Sequence, residues 1–209
     1  MQHLNVDPTQ PEQKALHAAA AVLSASGLVA FATDTLYGLA VDPRDPVAVG
    51  RLYEAKSRPA SRAIPLIAAD VEQVLSCVVN VTPLACRLAD EFWPGPLSLI
   101  LVGAPTLDSR ILASDESVAI RVPACPVARA LAATFGHPVT ATSANRSGSD
   151  PAADAMSVVR SVGDQLDLVL DSGRTPGGLS STIVDARNEL PVLVREGVVP
   201  WDRVLQSVA

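Results

Sequence analysis

The chain has 209 residues, with 16 Lys and Arg against 22 Asp and Glu, and a formal net charge of −6. This acidic balance, without any run of Lys or Arg, excludes the basic footprint of a dedicated nucleic-acid-binding protein, although a local basic pocket is still allowed. With 48% hydrophobic and only 3% aromatic residues, the core is predicted to consist mainly of Ala, Val, Leu and Ile.

Cysteine use and hydropathy indicate a cytoplasmic protein without a membrane or export segment. Cys77, Cys86 and Cys125 are odd in number and widely spaced, so neither a disulfide framework nor a zinc site is predicted. The apolar run over residues 15–32 is interrupted by polar residues such as His17, and acidic residues precede it where a signal peptide would be basic.

The predicted elements alternate irregularly between helix and strand. A first helix over residues 11–26 ends before Gly27. Asp45-Pro46 and Thr82-Pro83 each combine a capping residue with proline at the first helical position. They predict a helix from Pro46 that carries Lys56 and Arg58 at its end, and a helix over 82–92. Further helices are predicted over 70–78, 126–135, 152–162 and 200–208, and strands over 28–32, 38–41, 64–69, 97–102, 118–122, 139–142, 166–170, 181–184 and 192–195. This order predicts an α/β domain with a twisted mixed parallel and antiparallel sheet flanked by helices.

Two predicted strands run into loops that are dense in hydroxyl groups. Residues 33–38 follow the strand over 28–32, and residues 143–148 follow the strand over 139–142. Ligands of α/β sheets bind outside the carboxyl ends of the strands. We therefore expect both loops to line a ligand site.

A cationic segment follows the helix that begins at Pro46. It holds Lys56, Arg58 and Arg62, in a chain with fourteen arginines but only two lysines. A lysine offers a mobile point charge and an arginine a rigid fork, so the combination predicts an anion clamp. A solvated helix end, where cations are also stabilising, is the competing interpretation.

Two arginines emerge from apolar strands. Arg121 interrupts one strand and Arg195 ends another. A buried guanidinium without a partner is costly, so each is expected to meet an anion, either a structural carboxylate or a phosphorylated ligand. The sequence contains no Walker A loop, no G-x-S-x-G and no H-E-x-x-H. The lack of a recognisable protein nucleophile favours a phosphorylated ligand held by positioning and charge alone.

Seven segments, in order and over nearly the whole chain, resemble the YrdC-like threonylcarbamoyl-AMP synthases of tRNA modification. Each segment is weak by itself, but seven in sequence with plausible spacing are specific. They are FATDTLYGL at 31–39, AKSRP at 55–59, FWPGPL at 92–97, SVAIRVP at 117–123, TSANRSG at 142–148, SSTIVD at 180–185 and VREG at 194–197.

The resemblance implies a fold and an activity. We expect a single YrdC-like domain over residues 1–209 with an open concave basic cleft, lacking the extra carboxy-terminal domain of some relatives. It implies a nucleotidyltransferase that joins L-threonine, bicarbonate and ATP into threonylcarbamoyl-AMP with release of pyrophosphate, normally with Mg²⁺. A partner complex would then transfer the threonylcarbamoyl group to adenosine 37 of tRNAs that read codons beginning with A.

The resemblance also implies a role for individual residues. L-Threonine would be held by Thr35, Arg121 and Ser181, with Arg121 on its carboxylate. The residues implied for ATP are Lys56, Arg58, Arg62, Ser117, Ser143, Asn145 and Arg195, of which Lys56 and Arg58 are the expected catalytic pair. Lys56 is expected to be a partly exposed clamp residue, so Lys56→Ala should greatly lower turnover but cause little loss of stability.

Three positions depart from the family pattern, and two other functions remain open. Ala32 stands where proline is common, Cys125 where histidine is usual, and Glu196 where proline often follows the arginine. One alternative is a double-stranded RNA or tRNA-binding module that uses the same cleft, with possible weak RNA binding. Another is a carbamoyltransferase related through the fold, although the zinc-finger cysteines and acylphosphatase region of the large hydrogenase-maturation relatives are missing.

Overall fold

The structure, a computed structural model, describes residues 1–57, 63–146 and 152–208. Arg58 and Arg62 lie outside the described residues. Within the described ranges, no helix has both the length and the apolar character needed to cross a membrane. The α-helices there are α1 Gln13–Ser24, α2 Pro46–Lys56, α3 Val71–Leu75, α4 Pro83–Phe92, α5 Pro126–Phe135, α6 Ala155–Val162 and α7 Trp201–Val208, and Gly163–Gln165 is a short 3-10 helix.

Local capping explains where the long helices begin and end. The Asp45 carboxylate accepts the amide of Val47 at 2.8 Å at the start of α2, and the Thr82 hydroxyl accepts the amide of Ala85 at 3.0 Å at the start of α4. Gly136 ends α5 with a φ of 83°, a left-handed conformation that favours glycine. The predicted start of α2 at Pro46 and the predicted range 126–135 of α5 are confirmed, and α4 begins one residue later than predicted.

Each predicted strand is present, although several are shorter than predicted or shifted by one or two residues. Two further strands, β1 and β5, were not predicted, and one predicted strand is divided. They are β1 Gln2–Asn5, β2 Val29–Ala32, β3 Tyr37–Ala40, β4 Leu66–Ile67, β5 Val78–Val79, β6 Leu97–Gly103, β7 Ser117–Arg121, β8 Val139–Thr140, β9 Thr142–Ser143, β10 Leu168–Asp171, β11 Thr182–Asp185 and β12 Val192–Arg195. The helix predicted over 70–78 is too long, because Val78 pairs with Gly103 in a sheet. β1 is polar and mostly exposed, so its pairing with β10 has no sequence signal.

The strands form two mixed sheets. The first has the order β1-β10-β2-β3-β9, and the second has the order β12-β11-β6-β7-β4-β8, with β5 paired to β6. Parallel pairs such as β10 with β2 stand beside antiparallel pairs such as β2 with β3, so the predicted mixed pairing is confirmed. The predicted strand over 139–142 divides at Ala141, with β8 in the second sheet and β9 in the first.

Aliphatic side chains fill the core on both sheets, as the composition predicts. Helices α1 and α5 cover the first sheet, where Leu16, Phe31 and Leu131 are fully buried in one hydrophobic cluster. A larger cluster surrounds the second sheet and includes Leu88 of α4 and Ile120 of β7. Burying each large aliphatic side chain contributes about 1.5–3 kcal/mol, which holds the helices on the sheets and fixes the strand ends.

Candidate active site

A cavity of about 330 Å³ is lined by both sheets. The first sheet contributes the end of β2, the following turn and β3, whereas the second contributes the ends of β7 and β12 and the beginning of β11. The lining residues are Thr33, Thr35, Leu36, Tyr37, Gly38, Ala63, Ile64, Pro65, Leu66, Ser98, Ala119, Arg121, Ala141, Thr142, Ser143, Ser180, Ser181, Ile183 and Arg195.

Five of the residues singled out in the sequence line this cavity. They are Thr35, Arg121, Ser143, Ser181 and Arg195, which span 160 positions of the chain. Ser117 is not among the lining residues. It stands at the opposite end of β7 from Arg121, and its hydroxyl donates to Asp115 Oδ1 at 2.6 Å.

Arg121 is a buried cation fixed by one carboxylate. Its Nη1 donates to Asp34 Oδ1 at 2.6 Å, and the second oxygen of Asp34 accepts the backbone amide of Ala124 at 3.2 Å. In the described part of the chain, Nη1 is the one guanidinium nitrogen of Arg121 that makes a hydrogen bond. The structural carboxylate is therefore present, and the remaining donors are available to a ligand in the cavity.

Arg195 has a different set of partners. Nη2 donates to the carbonyl oxygen of Ser181 at 2.8 Å and lies 3.4 Å from the Ser181 hydroxyl oxygen. No carboxylate pairs with Arg195 among the described residues. Its pKa is lowered, first by burial and then by the positive charge of Arg121. Two cations thus repel each other across the cavity, and an anionic ligand between them would relieve that repulsion.

Hydroxyl groups line the cavity together with the two arginines. The hydroxyl oxygens of Thr33 and Thr35 lie 3.2 Å apart, and those of Ser98 and Ser181 lie 3.0 Å apart. Asp34 and Ser98 were not chosen as site residues from the sequence. The available signal for Ser98 was a single polar residue in an otherwise apolar strand.

Lys56 differs from its predicted environment. Its side chain is 2% exposed, and Nζ donates to the carbonyl oxygens of Ser143 and, at 2.8 Å, Asn145. The prediction of a partly exposed residue is wrong, because α2 carries Lys56 beneath the loop that follows β9. Asn145 is likewise buried and is not a lining residue, although its backbone belongs to that loop.

The positions that depart from the family pattern make local contacts. Cys125 Sγ donates to the carbonyl oxygen of Ala32 at 3.4 Å, so two of these positions touch each other. Glu196 accepts the backbone amide of Trp201 at 2.8 Å at the start of α7. Burial raises the pKa of the Cys125 thiol, which keeps it in the neutral form.

Acidic and imidazole groups do not gather into a metal site in residues 1–57, 63–146 and 152–208. No group of three or more His, Cys, Asp or Glu side chains there is placed to hold an ion. Asp34, whose carboxylate pairs with the lining residue Arg121, also accepts the Ala124 amide.

Comparison with known proteins shows the family of this chain. A family model described as telomere recombination, for Sua5, YciO and YrdC, matches residues 21–197. The chain belongs to the Sua5/YciO/YrdC family. Threonylcarbamoyl-AMP synthase from Bacillus subtilis is 36% identical over 89% of this chain, and the match covers 54% of that protein. The enzyme of the same name from Idiomarina loihiensis is 34% identical, with 78% of this chain and 89% of that protein covered.

A solved structure of Sua5 from Pyrococcus abyssi in complex with L-threonine superposes on this chain with a TM-score of 0.94 at 33% identity. The match covers 100% of this chain and 61% of that one. This chain therefore spans little more than half the length of the B. subtilis and P. abyssi members of the Sua5/YciO/YrdC family.

Proposed function

We propose that this protein is a threonylcarbamoyl-AMP synthase. It would form L-threonylcarbamoyladenylate and pyrophosphate from L-threonine, bicarbonate and ATP, for the threonylcarbamoyladenosine modification at position 37 of tRNAs. The observation that carries the proposal is the approach of Arg121 and Arg195 from two different strands to one hydroxyl-lined cavity. The names of the B. subtilis and I. loihiensis relatives support it.

The reaction needs positioning and charge neutralisation more than a protein nucleophile. The threonine amine attacks bicarbonate to form a carbamate, with water as the other product. A carbamate oxygen then attacks the α-phosphorus of ATP, and the bond to the leaving pyrophosphate breaks. Bringing two anions together is the main obstacle, and fixed guanidinium groups that line the cavity oppose their repulsion.

The residues of this chain that would bind substrate divide between L-threonine and ATP. Arg121, already aimed by Asp34, would bind the threonine carboxylate through its unused donors, and Thr35 and Ser181 would contact the rest of the amino acid. Arg195 and Ser143 would face the ATP phosphates. Lys56 would act on the nucleotide through the loop whose carbonyl groups it holds. The further ATP residues in this proposal are Asn145 and Ser117, together with Arg58 and Arg62 outside the described residues.

Mg²⁺ would enter as the complex with ATP in this proposal. The described residues offer no acidic cluster to hold it. The steps assigned above to Arg121, Arg195 and the hydroxyl groups do not pass through the ion. A tRNA-modifying complex that consumes the adenylate would be the downstream partner.

The test is threonine-dependent release of pyrophosphate. Purified protein is incubated with ATP, L-threonine and bicarbonate, and the adenylate is identified by mass spectrometry. We expect release only when all three are present, and Arg121→Ala should lower kcat/KM at least about tenfold, the equivalent of roughly 1.4 kcal/mol. Arg203→Ala, on an exposed arginine of α7, is the matched control and should keep normal activity. Pyrophosphate release that is indifferent to threonine would overturn the proposal.

A further inference from the structure

Ser98 is a buried polar residue in an apolar strand, and its side chain faces the cavity wall. It is 3% exposed, lies in β6 between Leu97 and Leu99, and pairs in register with Ile183 of β11. Its hydroxyl lies 3.0 Å from the hydroxyl of Ser181, which is also buried. A buried hydroxyl normally has its hydrogen-bonding capacity satisfied, so the partners of this pair can be counted.

The pair has one proton more than its protein acceptors can take. Two hydroxyl protons are present, and the bond between Ser98 and Ser181 uses one of them. The third group nearby, Arg195 Nη2, is itself a donor at 3.4 Å from the Ser181 oxygen. Whichever serine donates to the other, one hydroxyl proton has no acceptor among the described residues. The pair also keeps an unused lone pair, so it can both donate to a ligand and accept from it.

The second hydroxyl pair has the opposite character. The Thr33 hydroxyl donates to the carbonyl oxygen of Leu36 at 2.7 Å, so it can only accept in its 3.2 Å contact with the Thr35 hydroxyl. The Thr33 oxygen also accepts the backbone amides of Thr35 at 3.2 Å and Leu36 at 3.3 Å, and the lone pairs of the Thr35 hydroxyl oxygen remain for the ligand. This side of the cavity suits an N–H donor.

Three kinds of complementary group thus surround the cavity. Arg121 supplies positive charge for a carboxylate, Thr35 supplies an acceptor for an amine, and the Ser98–Ser181 pair supplies a donor and an acceptor together. An amino acid with a side-chain hydroxyl has one group for each of them. An isosteric side chain without the hydroxyl would leave the serine proton buried and unsatisfied, at a cost of about 1–3 kcal/mol.

We infer that Ser98 is a specificity-determining residue, which together with Ser181 binds the side-chain hydroxyl of L-threonine and discriminates against L-valine. The inference rests on the proposed function for the identity of the amino acid. It adds a role for Ser98, which neither the sequence motifs nor the expected threonine residues include.

The experiment compares L-threonine with its isostere L-valine in wild-type protein and in Ser98→Ala. Dissociation constants are measured by calorimetry, and pyrophosphate release is followed in parallel. We expect Ser98→Ala to weaken L-threonine binding about tenfold, since one hydrogen bond is lost, while L-valine affinity stays the same or improves. Ser98→Thr retains the hydroxyl and should recover most of the discrimination.

Controls separate this inference from the proposed function and from misfolding. Ser76→Ala removes an exposed hydroxyl, which donates to the carbonyl oxygen of Gln73, and should leave both affinities unchanged. An unchanged threonine-to-valine ratio in Ser98→Ala overturns the inference, as does an equal loss for both ligands. If the wild-type protein releases no threonine-dependent pyrophosphate, the proposed function fails, and the binding ratio still decides the role of Ser98.

If Ser98→Ala does not fold, the threonine-to-valine ratio measured for Ser98→Thr decides the role of Ser98. Loss of discrimination in that hydroxyl-bearing variant overturns the inference.

Discussion

At the scale of single residues, the cavity depends on side chains held by partners that are distant in sequence. Asp34, in the turn after β2, accepts a hydrogen bond from Arg121 at the end of β7, and both side chains are largely buried. The ion pair limits the orientations of the guanidinium, so its remaining donors point to a defined place. Such pre-organisation reduces the entropy lost when a ligand binds.

Asp34→Asn tests this positioning role. The substitution keeps the shape of the side chain but leaves Arg121 without its counter-charge, so the free energy of unfolding should fall by about 3 kcal/mol. KM for threonine should rise more than kcat falls, because the carboxylate-binding group is displaced. Asp108→Asn, which breaks a similar pair with Arg110 away from the cavity, should leave KM unchanged. An unaltered KM in Asp34→Asn would contradict the proposal that Asp34 orients the Arg121 guanidinium for ligand binding.

Lys56→Ala is now expected to affect stability as well as activity. The substitution removes the donor from the carbonyl groups of Ser143 and Asn145 and leaves a cavity, at a combined cost of about 2–5 kcal/mol. Urea unfolding measures this loss. Lys14→Ala removes the other lysine of the chain, which is exposed in α1, and should change stability by less than about 0.5 kcal/mol. Normal stability of Lys56→Ala would contradict this expectation and would favour the earlier prediction of a partly exposed, ligand-binding lysine.

At the scale of elements, the turn between β12 and α7 holds the second sheet's contribution to the cavity. The buried Thr182 hydroxyl donates to the carbonyl oxygen of Val199 at 2.6 Å and accepts the amide of Gly197 at 2.9 Å. This one side chain fastens the turn to β11. Ser181 directly precedes β11 and Arg195 ends β12, so the conformation of the turn affects the separation of these two residues.

Gly197→Ala tests that coupling. A Cβ at this position would lie 2.1 Å from the carbonyl oxygen of Ser180, so the backbone of the two segments must move apart. We expect the free energy of unfolding to fall by about 1–3 kcal/mol, together with weaker ligand binding in calorimetry. Gly50→Ala, within α2, has room for the methyl group and should be neutral or slightly stabilising. Equal behaviour of the two variants would contradict the proposed coupling.

At the scale of the whole molecule, ionisable groups set the pH range in which the fold is stable. The Ser117 hydroxyl and then the Arg187 guanidinium lower the pKa of Asp115 to about 2, from an ordinary value of 3.8. Burial and then the charge of Asp171 raise the pKa of Tyr37 to about 12, from 10.0. The folded state therefore favours the ionised carboxylate and the neutral phenol.

The stability of the protein should accordingly decline at both ends of the pH scale. The contribution of Asp115 is present above about pH 4 and is lost as the pH falls towards 2, because the unfolded chain then binds the proton more tightly. The contribution of Tyr37 is present below pH 10 and is lost as the pH rises towards 12. Urea midpoints measured across this range check both limbs. Asp115→Asn should flatten the acid limb, and an unchanged acid limb in that variant would contradict the assignment.

Most helices, most strands and several of the residues that line the cavity could be predicted from the amino-acid sequence. Caps at Asp45 and Thr82 and the glycine after α5 act within a few residues, so they can be recognised without a fold. Polar loops after buried strands indicated Thr35 and Ser143, and guanidinium groups in apolar strands indicated Arg121 and Arg195. All four residues line the cavity, and they could be singled out because each signal depends on the chemistry of a short segment.

Strand pairing and side-chain burial that depend on contacts distant in sequence could be seen only in the folded structure. The strand over 139–142 divides between two sheets because its halves find different partners, and no local signal marks that exchange. Lys56 is buried beneath Ser143 and Asn145, which lie 87 and 89 positions further along the chain and whose carbonyl groups accept hydrogen bonds from its ammonium group. Ser98 lies beside Ser181 only because β6 pairs with β11, which begins directly after Ser181. Burial and pairing are properties of the assembled chain, since each depends on groups that approach only after folding.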